Sequence, residues 1–257
     1  MHRIILTIIS LLLFAMSYSQ ESEFLTVVNS NDELDLTDIT LVTIPTQGPY
    51  MLVGNKIVSL EEDGETSSII LPEELYIEDM IWTGEDFAIR SRHEIYMLNN
   101  IETPAFLFEE EEFRIFPWDE KRIFIVYRDE AKDHVYWGSL KHNNKVKRMI
   151  SFDEDVVYLA PAPDDATLIV TTENAYLFTK EECIKYMSFW SPVRTAVMTS
   201  KGLFFATDEE ICVLTGVDSF ILLFDGGCRQ LLFDGIDLYI LTEDYDLLKC
   251  NIDMLDF

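Results

Sequence analysis

The segment LIVTTENAYLF at 168–178 decides the fold of this chain. It consists of an apolar run, a short polar turn and a second apolar run, which is the pattern of a β-hairpin. The same pattern occurs five more times, as YMLVGNKIVSL at 50–60, FAIRSRHEIYML at 87–98, IFIVYRDEAKDHVYWGSL at 123–140, LFFATDEEICVL at 203–214 and LYILTEDYDLL at 238–248. These segments predict a sixfold internal repeat.

Each repeat is long enough for four strands. Successive hairpins lie 36, 36, 45, 35 and 35 residues apart, measured between Met51, Phe87, Ile123, Leu168, Leu203 and Leu238. Strand-like runs precede every hairpin after the first (DMIWTG, FRIFPW, VVYLAPA, RTAVMT, RQLLFDG), and others follow all but the last (SSIIL, PAFLF, KRMISF, KYMSFW, FILLF). Many of the runs are continuously apolar, which indicates strands that are covered on both faces.

Six four-stranded antiparallel sheets packed face to face around an axis satisfy these observations, and the chain resembles the six-bladed β-propellers over residues 24–257. The resemblance rests on repeat period and strand pattern, so it implies an all-β fold and no functional residues. A two-sheet sandwich is the rival fold. The last repeat supplies three strands, and we expect FLTVV at 24–28 to close the ring as the outer strand of the sixth blade. The alternative is a mobile leader.

The net charge limits the partners of this protein, and the N-terminal residues predict its compartment. The 257 residues carry 47 acidic against 19 basic side chains, a net charge of −28, which argues against nucleic-acid binding. Basic His2 and Arg3, the apolar run at 4–16 and the small residues after it predict a secretory signal peptide at 1–19. We expect a single domain at 20–257 that is secreted or periplasmic, with no membrane span after cleavage; an N-terminal anchor is the alternative.

A propeller brings the hairpins between second and third strands to the same end as the connections between blades. We call this the acidic end, because carboxylates dominate its connections, whereas the basic residues there are few: Lys56, Arg90, Arg92, Arg128 and Lys132. The predicted binding residues are Glu109, Glu110, Glu111, Glu112, Asp153, Glu154, Asp155, Asp208, Glu209, Glu210, Glu243 and Asp244. The same end also holds Glu73, Glu74, Asp129, Glu130, Asp133, Glu173 and Asp225. Such a surface attracts cations or a basic partner, or it only keeps the protein soluble.

The sequence contains only weak patterns for a metal site or for disulfide bonds. Cys183, Cys212, Cys228 and Cys250 allow three disulfide pairings or buried free thiols, and their spacing matches no common zinc module. The stretch NSNDELDLTD at 29–38 has the alternating oxygen ligands of a calcium loop, but it lacks the glycine and the final glutamate. We predict no metal site and no cofactor, with weak calcium binding at the acidic turns as the remaining expectation.

Two functions fit these features. The first is a non-enzymatic propeller that binds a basic protein or peptide through the acidic end, which the short connections favour. The second is an extracytoplasmic hydrolase or lyase that acts on a glycan with acids at the central channel. Catalytic motifs are absent from the sequence, and His93, His134 and His142 have no obvious nucleophile beside them.

Overall fold

A computed structural model describes residues 25–29, 40–60, 67–110, 112–141, 145–216 and 219–255. Within these ranges the strands form six antiparallel sheets of four strands each, and the only helical element is a short 3₁₀ turn at Ile252–Met254. The first strand of each sheet contacts the first strands of the two neighbouring sheets, so these inner strands close a ring. The protein is a six-bladed β-propeller. The expected fold class is therefore confirmed, and the sandwich is excluded.

The first three blades follow one another along the chain, each from its inner to its outer strand. Blade 1 contains β2 (Thr40–Ile44), β3 (Gly48–Val53), β4 (Lys56–Ser59) and β5 (Ser68–Ile70). Blade 2 contains β6 (Asp79–Trp82), β7 (Phe87–Ser91), β8 (Glu94–Met97) and β9 (Phe106–Leu107). Blade 3 contains β10 (Phe113–Asp119), β11 (Arg122–Arg128), β12 (Asp133–Ser139) and β13 (Val146–Phe152).

The second half of the ring repeats this order, except that the outer strand of the last blade comes from the other end of the chain. Blade 4 contains β14 (Val156–Ala162), β15 (Ala166–Thr171), β16 (Asn174–Phe178) and β17 (Cys183–Ser188). Blade 5 contains β18 (Thr195–Thr199), β19 (Gly202–Ala206), β20 (Glu210–Gly216) and β21 (Ser219–Asp225). Blade 6 contains β22 (Cys228–Phe233), β23 (Asp237–Thr242), β24 (Leu247–Asn251) and β1 (Leu25–Asn29).

The second strands are continuously apolar because each packs against two neighbouring blades. In β11, Ile123 and Ile125 belong to a cluster shared with blade 2, whereas Phe124 and Val126 belong to a cluster shared with blade 4. All four side chains are fully buried. Alternate residues of a strand point to opposite faces of its sheet, so a run without polar residues fills both interfaces.

The N-terminal strand closes the ring as expected. β1 pairs with β24 in the antiparallel direction, with Leu25 opposite Cys250 and Val27 opposite Leu248. Leu25 packs against the core between blades 5 and 6, and Val28 packs against the core between blades 6 and 1. Blade 6 therefore joins residues from both ends of the described chain.

Several predicted features lie outside the described residues, namely the signal peptide at 1–19, Glu111 and nearly all of the calcium-like stretch at 29–38. No helix in the described ranges has the length and hydrophobicity of a membrane span. The four cysteines are free thiols, and Cys212, Cys228 and Cys250 are buried. Burial raises the pKa of Cys212 and of Cys228 to about 12, which keeps these thiols protonated.

Candidate functional site

The predicted acidic residues that the structure describes lie at one end of the ring. Glu109, Glu110 and Glu112 connect β9 to β10, and Asp153–Asp155 connect β13 to β14. The turns between second and third strands contribute Asp208 and Glu209 in blade 5, next to Glu210 at the start of β20, and Glu243 and Asp244 in blade 6. Because each blade is antiparallel, these connections and turns share the end at which every inner strand begins.

Basic side chains neutralise part of this acidic end. Arg194 binds Asp208 and also Glu243, whose Oε1 lies 2.7 Å from its Nη1 atom. Arg128 binds Asp155, and the Lys132 Nζ atom lies 2.8 Å from Asp153 Oδ1. Arg194, Arg114 and Arg229 were not among the few cations expected at this end, because each belongs to a run that the sequence assigned to an inner strand (RTAVMT, FRIFPW and RQLLFDG). The acidic end is thus partly an internal network of ion pairs.

Two further predicted residues are held by hydrogen bonds. Glu154 accepts from the Thr171 hydroxyl, from Asn174 Nδ2 at 2.7 Å and from the Tyr176 hydroxyl at 3.2 Å. Glu210 accepts a 2.6 Å hydrogen bond from the indole Nε1 of Trp190. These contacts fix the two carboxylates against their own blades, so both have a structural role.

Four predicted carboxylates remain available. The side chains of Glu109, Glu112, Glu209 and Asp244 are exposed, and none has an ion-pair or hydrogen-bond partner among the described residues. Glu109 and Glu112 lie between blades 2 and 3, whereas Glu209 and Asp244 lie in blades 5 and 6. These four carboxylates therefore form two groups on opposite sides of the ring.

Asp133 is a correction to the predicted acidic surface. Its carboxylate is fully buried, at 2.6 Å from the Arg114 Nη2 atom and 3.4 Å from the Arg128 Nη1 atom. It also accepts a 2.7 Å hydrogen bond from the backbone N–H of Val156, while Arg114 donates to the Val156 carbonyl. Asp133 therefore ties blade 3 to the inner strand of blade 4 and is not offered to a partner.

The six inner strands line an axial channel of about 490 Å³. The residues along its walls are mainly apolar, for example Met80, Ile115 and Leu231. Asp79, at the start of β6, is the one carboxylate among the described lining residues. Burial raises its pKa to about 6, against the lowering effects of the Met80 N–H, which donates to it at 2.8 Å, and of Arg90 and Arg114 nearby. No sequence pattern distinguished Asp79, because acidic residues are equally common in the turns.

A separate polar cluster lies on the face of blade 3 that is turned toward blade 2. The His134 Nε2 atom lies 2.6 Å from Asp129 Oδ2, and its Nδ1 atom lies 2.7 Å from Ser151 Oγ. We call these three residues the Ser151 array. His134 was expected to have no nucleophile beside it, but antiparallel pairing places Ser151 directly opposite. The two residues are 17 positions apart, so only the register of β12 and β13 could have revealed the contact.

Metal binding finds no support in the described part of the chain, where no three histidine, cysteine or acidic side chains come together as metal ligands. The calcium-like stretch at 29–38 lies almost entirely outside that part. Weak calcium binding at the acidic end therefore stays a prediction.

Comparison with known proteins supports the fold. No protein-family model matches the chain, and no curated protein matches it in sequence. Among solved structures, a gluconolactonase from Xanthomonas campestris is 14% identical, with a TM-score of 0.60 over 82% of this chain and 84% of that one. Virginiamycin B lyase from Staphylococcus aureus is 14% identical, with a TM-score of 0.57 over 88% and 98%. YCF48 bound to a D1 peptide is 10% identical, with a TM-score of 0.56 over 82% and 76%. At these identities the likeness shows the fold alone.

Proposed function

We propose that this propeller binds a basic protein or peptide through its acidic end. The observation that carries the proposal is the pair of free carboxylate groups on opposite sides of the ring, Glu109 with Glu112 and Glu209 with Asp244. Seven of the other predicted binding residues are already engaged by ion pairs or hydrogen bonds, namely Glu110, Asp153, Glu154, Asp155, Asp208, Glu210 and Glu243. These four are therefore the predicted residues that a partner meets. Lysine and arginine side chains are the groups that complement exposed carboxylates.

The remaining charge of the protein supports the same function. A net charge of −28 gives a strong negative potential, which speeds the encounter with a cationic partner. The internal ion pairs hold the connections of the acidic end in place, so little ordering is needed on binding. A peptide-bound propeller occurs among the structural neighbours, namely YCF48 with its D1 peptide.

We place this binding outside the cytoplasm. The support is the N-terminal pattern of a short basic start, an apolar run at 4–16 and small residues at 17 and 19. To test cleavage of this signal peptide, the mass of the protein recovered from its native compartment is compared with the mass of the full chain. Loss of the first 19 residues agrees with secretion, and an intact N-terminus contradicts it.

The axial channel favours binding over glycoside hydrolysis. Hydrolysis of a glycosidic bond generally uses two carboxyl groups about 5–10 Å apart. Among the described residues that line the channel, Asp79 supplies one. The enzyme neighbours show that the fold carries catalysis in other proteins, but none of the described residues along this channel supplies the second acid.

The test removes the four free charges and measures association with a fluorescent octalysine peptide. The variant combines Glu109→Gln, Glu112→Gln, Glu209→Gln and Asp244→Asn. Its matched control removes four exposed charges from the opposite end, through Glu85→Gln, Glu102→Gln, Glu120→Gln and Glu181→Gln. We expect the first variant alone to lower the association rate clearly at low salt, with a smaller difference at high salt. Equal rates for the two variants would reduce the acidic end to a solubility feature.

A further inference from the structure

The Ser151 array has the connectivity of a nucleophile, a base and an orienting carboxylate. Its two hydrogen bonds measure 2.7 Å, between Ser151 Oγ and His134 Nδ1, and 2.6 Å, between His134 Nε2 and Asp129 Oδ2. His134 is buried, and its ring stacks beside Tyr127 with 6.2 Å between the centroids. Ser151 is half-buried on the outer strand of the blade, where a small molecule can reach it.

Arg148 determines which nitrogen of His134 carries the proton. Its Nη2 atom lies 2.7 Å from His134 Nδ1 and 2.6 Å from Ser151 Oγ. A guanidinium group only donates hydrogen bonds, so Nδ1 must be an acceptor and the proton resides on Nε2. The Nε2–H group then donates to Asp129, and this hydrogen bond holds the pKa of Asp129 well below its usual range. The lone pair of Nδ1 thereby faces both the Arg148 guanidinium and the Ser151 hydroxyl.

A cavity of about 450 Å³ adjoins the array through Arg148. Its apolar walls are formed by Leu107, Phe108, Tyr136 and Val146, and its rim carries Glu109 and Glu110. Such a cavity suits a short apolar group, and the two carboxylates disfavour an anionic one. The hydrocarbon walls and the nucleophile are thus on the same side of blade 3.

We propose that the Ser151 array is an acyl-transfer site that hydrolyses small carboxylic esters with an apolar acyl group. Ser151 Oγ attacks the carbonyl carbon, and its proton passes to His134 Nδ1. The bond between the carbonyl carbon and the alcohol oxygen then breaks, and His134 returns the proton to the departing alcohol. Water attacks the acyl-serine in the same way, which releases the carboxylic acid and restores the serine.

The neighbouring groups have distinct roles in this scheme. Arg148 already contacts Ser151 Oγ, so its guanidinium is within reach of the negative charge that develops on the carbonyl oxygen. Asp129 touches neither substrate nor nucleophile and is a positioning residue, which holds the His134 ring and its tautomer. Asp129→Asn is therefore expected to lower kcat and leave KM nearly unchanged.

Blade 4 provides a built-in control at the matching position. Ser188 on the outer strand lies opposite Asn174, and its Oγ atom is 2.7 Å from the Asn174 Oδ1 atom. Ser188 thus has the same strand position as Ser151 and a hydrogen bond of the same length. Its partner, however, is the side-chain amide of Asn174, which cannot act as a base. Ser188 is therefore a serine in the same setting without activation.

The experiment treats the protein with an ethyl fluorophosphonate and maps the modified residue by mass spectrometry, alongside hydrolysis of p-nitrophenyl butyrate. We expect one label, on Ser151. Ser151→Ala should lose the label and lower hydrolysis by on the order of 10³-fold or more, whereas Ser188→Ala should match the parent. Mapping on the parent protein does not depend on how any variant folds.

Three outcomes would overturn the proposal: no label on the parent, a label on another residue, or unchanged hydrolysis in Ser151→Ala. The failure of this proposal is distinct from that of the binding function. Octalysine association does not require Ser151, and labelling does not require Glu209 or Asp244.

Discussion

The substitution Asp79→Asn should stabilise the protein at neutral pH, because it removes a charge that the fold holds at a cost. The pKa of Asp79 is raised from 3.8 to about 6 by burial at the mouth of the axial channel. Each pKa unit corresponds to about 1.4 kcal/mol, so the ionised carboxylate costs about 3 kcal/mol at most. Asparagine has nearly the same shape and never ionises.

The sign of the effect follows from the direction of the shift. A group whose pKa is higher in the folded state contributes stability that is complete below pH 3.8 and is lost as the pH rises through about 6. The parent protein should therefore lose stability relative to Asp79→Asn as the pH rises. Between about pH 5 and about pH 8 the expected relative change is about 1.4 kcal/mol, roughly half of the total.

The assay is urea unfolding of both proteins at these two pH values, followed by fluorescence of the four tryptophans. Comparing the variant with the parent at each pH cancels the titration of the other acids and any pH-independent effect of the amide on its hydrogen bonds. A difference in unfolding free energy that stays constant, or that falls as the pH rises, would refute the assignment of a strained carboxylate at Asp79.

Two further predictions concern the closing strand and the buried ion network. Deletion of residues 25–28 removes the half-buried Leu25 and Val28 and opens an edge on β24, which should cost about 3 kcal/mol or more and lower the melting temperature by about 6–12 °C. A melting point within a degree or two of the parent would contradict closure by β1. Asp133→Asn removes the buried counter-charge of Arg114 and Arg128, whose own side chains are half-exposed, and should destabilise the fold by about 1.5–3 kcal/mol in urea unfolding. The exposed Asp153→Asn is its control, and equal stability of the two variants would contradict a structural role for Asp133.

The fold was predictable from the sequence because its signal is repeated. Every second and third strand occupies an apolar run that the hairpin pattern predicts, from Met51 in blade 1 to Leu238 in blade 6. The outer strands were harder to predict in length. β9 includes only Phe106 and Leu107 of the run PAFLF, because an outer strand has one paired edge and less apolar surface to cover.

The site was less predictable, because side-chain partners depend on register and not on position along the chain. Sequence placed Asp208 and Glu243 at one end, but it did not show that Arg194 binds both. His134 and Ser151 meet only because β12 and β13 pair in one register, with an irregularity between Val135 and Tyr136. A shift by one residue would move Ser151 to the other face of the blade.

The pairing of β1 with β24 also has a consequence for how the ring assembles during synthesis. β1, the first of the described strands, has its partner more than two hundred residues downstream, so it stays unpaired during synthesis until β24 has been made. Contacts between distant residues form late, since a long loop has to be closed first. Blades 1–5 use only local hairpins and can form in sequence, but they remain an open arc until the last strand arrives. Ring closure is thus a single, late event, and a chain whose synthesis stops before β24 cannot close the ring.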